Sequence, residues 1–314
     1  MPLAAFMAAV CAAAAIAAAD IAGFAWHGPW HSAQAGGSAT RSQSALPTTP
    51  SSYIGLYAPY SFAQVKSFTA ATGIKPAVLS YYSGWPEPFR ADFATTAAKD
   101  GAVPLVQMNP TGISLESIVA GKYDAYIRTF ALAVRAYHNP IILSFGHEMN
   151  GYWYSWGNSH TPPAVFVAAW RHVVTLFRAV GTPNVTWLWT VNNLDKQGRV
   201  PSPSPWWPGA SYVNWIGIDG YYTGSSAVFA SVFGPTIVAV RALTHDPILI
   251  AETSAAPASI QPTKITNLFA GIRLYGLLGF VWFDSRNTVD WRLTSPAAIA
   301  AFRQGAETYF RLAS

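Results

Sequence analysis

The chain has 314 residues but only five glutamates, and two of these stand in comparable places. Glu148 follows the apolar run Ile141 to Phe145, in the segment Gly146-His147-Glu148-Met149-Asn150-Gly151, and Glu252 follows the apolar run Ile248 to Ala251. Carboxyl groups on separate rigid strands can be given different environments, so that one stays protonated while the other stays ionised. Glycosidic bond cleavage needs that difference, because one acid protonates the leaving oxygen while a second carboxylate attacks or stabilises the anomeric carbon. Either glutamate alone could instead cap a helix or pair with an arginine; the pair, with tryptophans nearby, favours chemistry. His147 beside Glu148 raises a metal reading, but a zinc-protease helix needs a second histidine where Gly151 stands. The single cysteine, Cys11, lies in the N-terminal apolar stretch, so no cysteine chemistry is expected in the folded body. Two carboxylates and water complete the reaction, and neither a metal nor a cofactor is expected.

Those carboxylates need elements to hold them. From Tyr53 onward, short β-branched and aromatic runs alternate with helical stretches, the pattern of parallel strands joined by crossover helices. The strand candidates are Ile54 to Ala58, Ala77 to Tyr81, Val103 to Met108, Ile141 to Phe145, Val185 to Thr190, Trp215 to Asp219, Ile248 to Ala251 and Phe280 to Phe283. Near-continuous apolar strands are buried on both faces, and eight of them predict a closed α/β barrel, the (β/α)8 TIM barrel, as one catalytic domain over 53–314. Catalytic groups in such a barrel stand at the carboxyl ends of strands, where both glutamates fall. Ser61 and Gly73 bracket a first helix, and Ser295-Pro296 opens the last. Thr161-Pro162-Pro163 reads as an N-cap and first-turn proline, with Gly181 as the stop of that helix. The turn from Tyr57 to Ser61 has no glycine-rich phosphate loop, so dinucleotide binding is not expected.

At 51% hydrophobic and 11% charged, the composition excludes a disordered chain. The 13 Trp, 15 Tyr and 17 Phe exceed what a core of this size needs and suggest an aromatic-lined cleft. Trp85 and Trp207, both in proline-rich loops, are candidates to stack on sugars there. The +5 charge comes from singly scattered Lys and Arg, which offer nucleic acid no basic stripe. Residues 1–35, an alanine-rich apolar run ending in Ala33-Gln34-Ala35, read as a signal peptide and hence a secreted protein. The length of the run and the lack of Lys or Arg before Arg41 leave a retained membrane anchor as the alternative. Residues 36–52 read as a flexible linker, and no later stretch reads as a bilayer span. Nothing in the sequence speaks to oligomeric state.

The run from His147 to Gly157, His-Glu-Met-Asn-Gly-Tyr-Trp-Tyr-Ser-Trp-Gly, resembles the acid/base signature of glycoside hydrolase family 26, the β-mannanase family of a retaining (β/α)8-barrel clan. Further matches follow in order: Trp187 to Asn192, Trp207-Pro208-Gly209, Tyr212 to Tyr221, and Pro247 to Thr253. The resemblance covers residues 53–314. It implies that Glu148 is the general acid/base and Glu252 the nucleophile, that Tyr221 donates its hydroxyl to Glu252, and that His147 hydrogen-bonds near the acid or the sugar. Trp153 and Trp282 would form parts of a sugar platform. Many mannanases of the family carry an arginine four residues before the acid, and Ser144 stands there in this chain. The resemblance implies a retaining endo-glycosidase acting on a β-linked polysaccharide. β-1,4-mannan ranks first, with mixed-linkage β-glucan, β-1,3-xylan or an exopolysaccharide as alternatives. The rival of another class is a catalytically silent, carbohydrate-binding barrel.

Overall fold

A computed structural model describes residues 46–58, 61–195 and 197–312. The expected leader, its cleavage motif, Cys11 and the linker up to residue 45 lie outside the described residues. Eight parallel strands close into a barrel in chain order. They are β1 (Tyr53–Tyr57), β2 (Val78–Ser83), β3 (Val103–Met108), β4 (Ile141–Phe145), β5 (Val185–Asn192), β6 (Trp215–Asp219), β7 (Ile248–Thr253) and β8 (Gly279–Phe283). β1 pairs with β8 along its whole length, from Tyr53 opposite Gly279 to Tyr57 opposite Phe283, which closes the ring. The helices outside it are α1 (Phe62–Thr72), α2 (Ala91–Lys99), α3 (Leu115–Val119), α4 (Asp124–Tyr137), α5 (Pro163–Val180), α6 (Phe229–Val232), α7 (Gly234–Arg241), α8 (Gln261–Leu274) and α9 (Pro296–Leu312).

Strand alternation splits the core into two dry layers. Side chains such as Tyr53, Val78, Leu105, Ile142 and Trp215 fill the barrel, while their neighbours Ile54, Leu79, Val106, Leu143 and Ile216 face the helices. Burial of both faces accounts for the absence of polar alternation in the sequence. At α1 the chemistry is as expected: Ser61 Oγ accepts from the Gln64 N–H at 3.2 Å, and Gly73 turns left-handed at φ 74°. Ser295 Oγ caps α9 through the Ala298 N–H at 3.1 Å. Thr161 does not cap α5: its hydroxyl donates to Ser155 O at 2.8 Å, and Pro162 takes the cap position. α5 itself has the length and hydropathy of a membrane span, contrary to the sequence reading. Its apolar face nevertheless packs on the barrel, Phe166 against Phe145 and Phe177 against Trp187. The described end of the expected linker is also docked, since Leu46 is buried and the N–H groups of Ser51 and Ser52 donate to Leu277 and Leu278 carbonyls at 2.8 Å.

Strand β7 breaks the regular register. Across it, Ile250 pairs with Ile218, but the next pair is Glu252 with Asp219; toward β8, Ile250 pairs with Phe280 and Thr253 with Trp282. β7 therefore carries one residue more than its neighbours, a bulge at Ala251 and Glu252. Regular alternation from the inward-facing Leu249 would turn residue 252 toward the helices; a bulge re-aims the side chain, and Glu252 meets side chains of the barrel interior.

Candidate active site

The inward positions at the carboxyl ends of the strands bring polar groups together in an otherwise apolar barrel. Glu148 lies just past β4, where Gly146 (φ 54°) and Glu148 itself (φ 55°) both take left-handed backbone. A non-glycine residue there costs about 1–3 kcal/mol and persists only where its surroundings fix it. Three hydrogen bonds do so: Gly146 N–H to Met108 O at 2.9 Å, Glu148 N–H to Thr190 O at 2.9 Å, and the Trp156 indole N–H to His147 O at 2.9 Å. Gly151 makes room for the neighbouring indole, since a Cβ there would lie 2.4 Å from Trp153 Cζ2.

The Glu148 carboxyl group is fully buried and accepts two N–H donors, Asn192 Nδ2 on Oε1 at 2.6 Å and Trp153 Nε1 on Oε2 at 2.7 Å. Burial pushes it up to about 7, against the pull of those two donors. Glu252, 4% exposed, is held by oxygen donors instead: the Tyr221 hydroxyl donates to Oε1 and the Tyr82 hydroxyl to Oε2. Burial pushes its carboxyl up to about 8, and phenol donors favour its ionised form. A third carboxyl group, Asp219 at the end of β6, is fully buried with neither oxygen hydrogen-bonded among the described residues. Burial, and then the charge of Glu148, raise it well above the ordinary carboxylate value. Tyr221 is raised by burial and then by Asp219 and Glu148; the Tyr82 ring, 5.5 Å from that of His147 and with its hydroxyl on Glu252, places both glutamate clusters at one rim.

His147 is buried and drawn down to about 3 by desolvation, hence neutral. Its Nδ1–H donates to Asn109 Oδ1 at 2.9 Å, and Nε2 accepts from the Tyr154 hydroxyl at 3.2 Å. Both ring nitrogens are engaged by protein, so the expected bond from His147 to acid or sugar is replaced by a link between β3 and the Tyr154 loop. Ser144 points inward, its hydroxyl 2.9 Å from Thr190 Oγ1. Gly217 lets β6 approach this pair, because a Cβ there would lie 2.5 Å from Thr190 Oγ1. Among the described residues no group of His, Cys, Asp and Glu has the arrangement of a metal site.

The model of Glycosyl hydrolase family 26 matches residues 86–270, more than half of the chain. The chain belongs to glycosyl hydrolase family 26. It is 32% identical over 257 residues to Endoglucanase H of Acetivibrio thermocellus, covering 76% of this chain and 28% of that protein. It is 26% identical over 169 residues to Beta-1,3-xylanase TXYA of a Vibrio species, covering 49% of this chain and 35% of that one. The chain thus spans about a third of the length of these curated relatives. Among solved structures, the catalytic domain of the Bacillus sp. JAMB-750 endo-β-1,4-mannanase superposes with a TM-score of 0.66 at 15% identity, over 86% of this chain and 94% of that one, a likeness of fold.

Within this family 26 barrel the tryptophans divide. Trp153 lies beside the carboxylates, half-buried, with its indole N–H on Glu148. Trp282, which the family resemblance puts in a sugar platform, is fully buried between β8 and α9, its ring 5.8 Å from that of Phe302. Alternation explains this, since Val281 and Phe283 are the inward residues of β8 and Trp282 must face the helices. Trp85 packs against Tyr126 and the outward-facing Phe145, and Trp207 against the outward-facing Trp189 at 5.0 Å. The structure does not bring these three to the carboxylates. It adds Tyr82, Asn109, Tyr154, Asn192 and Asp219. Tyr82, Asn192 and Asp219 hold inward positions at strand ends, so counting by twos from Val78, Leu188 and Trp215 finds them.

Proposed function

We propose that this family 26 chain is a retaining endo-glycosidase that hydrolyses a β-linked polysaccharide, with Glu148 as general acid/base and Glu252 as nucleophile. The observation that carries the reading is the difference in partners of the two carboxyl groups on one rim: N–H donors from Asn192 and Trp153 at Glu148, a pair of phenol donors at Glu252. Glu148 delivers its proton to the leaving oxygen while Glu252 attacks the anomeric carbon, giving a covalent glycosyl-enzyme. Asn192 and Trp153 stabilise the carboxylate that this proton transfer leaves behind. That carboxylate then accepts a proton from the water that releases the sugar.

For the substrate we favour a β-glucan over mannan. The family resemblance ranks mannan first, but the relative at 32% identity is named an endoglucanase, and the likeness to a mannanase at 15% carries only the fold. Ser144, standing where many mannanases of the family have arginine, agrees with this. A polymeric substrate does not cross membranes, which supports export through residues 1–35.

Reducing-end release from mixed-linkage β-glucan, mannan, glucomannan and β-1,3-xylan tests the reading, with β-glucan expected fastest. Binding without product on every polymer would support the silent barrel. Glu148→Ala should recover turnover of a dinitrophenyl β-glycoside in azide, yielding a β-glycosyl azide, and Glu252→Ala should not. The opposite pattern would reverse the two roles.

A further inference from the structure

We propose that Tyr82 is a second positioning residue for the nucleophile, acting with Tyr221 to hold the Glu252 carboxylate ionised and aimed. The inference rests on Glu252 being the nucleophile. Its ground is geometric. β2 continues to Ser83, and alternation from Val78 turns residues 80 and 82 into the barrel, while Tyr81 faces the helices. The Tyr82 ring is packed edge-on against Tyr57 at 5.0 Å and lies 5.5 Å from the His147 ring. So braced, its hydroxyl falls on Oε2 of Glu252, the oxygen that Tyr221 does not occupy.

Each carboxylate oxygen thus has its own phenol, and these are the only hydrogen-bond donors to the Glu252 carboxylate among the described residues. The titratable groups around Glu252 and its phenols are Tyr57 from β1, His147 and Glu148 from the end of β4, Tyr154, and Asp219 beside Tyr221 from β6. β8 contributes Phe283, which has no charge. His147 is neutral, and among the described residues no ion pair involves Glu252. With no cation among the described residues to offset the burial that raises its carboxyl, favouring the ionised form of Glu252 falls to the two hydroxyls. Tyr221 alone would leave Oε2 without a donor and the carboxyl group free to rotate.

The test is Tyr82→Phe, which keeps the ring and its packing and removes only the hydroxyl. On a dinitrophenyl β-cellobioside, kcat should fall about tenfold or more with KM changed less than about twofold. The acidic limb of kcat/KM should move up by about one pH unit, because an ionised group that loses a donor binds its proton more tightly. Carbon-13 NMR of glutamate-labelled protein, with Glu252→Gln giving the assignment, should show the Glu252 midpoint rising by the same amount. This second readout needs no turnover, so an inactive wild-type chain would count against the hydrolase reading while the titration still decides Tyr82. An unchanged midpoint would overturn the proposal, as would a raised KM at constant kcat, which would make Tyr82 a sugar contact.

Discussion

Glu148 and Glu252 are both buried carboxyl groups at one rim, yet the chain gives them partners of different kinds. Asn192 and Trp153 present N–H groups to Glu148, and each lowers a value that burial raises to about 7. Removing one of them therefore has a signed consequence. Asn192→Ala should raise the Glu148 carboxyl further; with Glu148 as the proposed acid, which works protonated, the basic limb of the pH profile should move to higher pH by up to about one unit. The same variant should lose turnover, because the carboxylate formed on proton donation has lost its 2.6 Å donor. Kinetics of the variant across neutral pH check both effects, and a limb moving downward would contradict the role assigned to Asn192. His147 teaches a related lesson: the family resemblance implies a bond near the acid or the sugar, but Asn109 and Tyr154 engage its two nitrogens.

At the scale of elements, strand parity decides which side chains reach the site. Trp282 and Phe283 are adjacent on β8, and the pleat puts the tryptophan under α9 and the phenylalanine inside, stacked on Tyr57 at 4.6 Å. Trp282→Phe should therefore cost about 1–3 kcal/mol in urea unfolding through the space it opens beside Phe302. Among the described residues its indole N–H has no hydrogen-bond partner, so the cost comes from packing. KM should stay within about twofold of wild type; a large rise would restore Trp282 to the sugar platform. The β7 bulge works the other way, overriding parity at Glu252, the proposed nucleophile. Strand ends show a further effect of structure over pattern. The apolar runs stop at Tyr81, Thr190 and Ala251, whereas the hydrogen-bonded strands continue to Ser83, Asn192 and Thr253. The added residues include Tyr82, Asn192 and Glu252, because the rim of the barrel is where polar side chains replace apolar ones while the backbone ladder still runs.

For the whole molecule, three buried carboxyl groups without a cation set the pH response. Glu148, Glu252 and Asp219 all have raised values in the folded chain, chiefly through burial. Between about pH 4.5 and 7 these carboxyl groups bind more protons in the folded than in the unfolded state, so their contribution to stability is full below that window and is lost as pH rises through it, while His147, drawn down to about 3, opposes them below about pH 6.5. Unfolding free energy should fall from about pH 5 to pH 8, by an amount on the order of 3 kcal/mol for Glu148 alone. Glu148→Gln should flatten that fall while abolishing polysaccharide cleavage, which calorimetry across the pH range would reveal; a steeper fall would show the sign to be wrong. The sequence by itself determined the eight strands, the barrel and the two glutamates, because burial on both faces writes a continuous apolar run and a carboxylate after such a run is conspicuous. Only the tertiary structure decided the partners of those glutamates. Tyr82 lies 170 residues from Glu252 and Asn192 lies 44 from Glu148. Barrel closure, strand register and one bulge bring such pairs within reach, and none of these leaves a local mark in the chain.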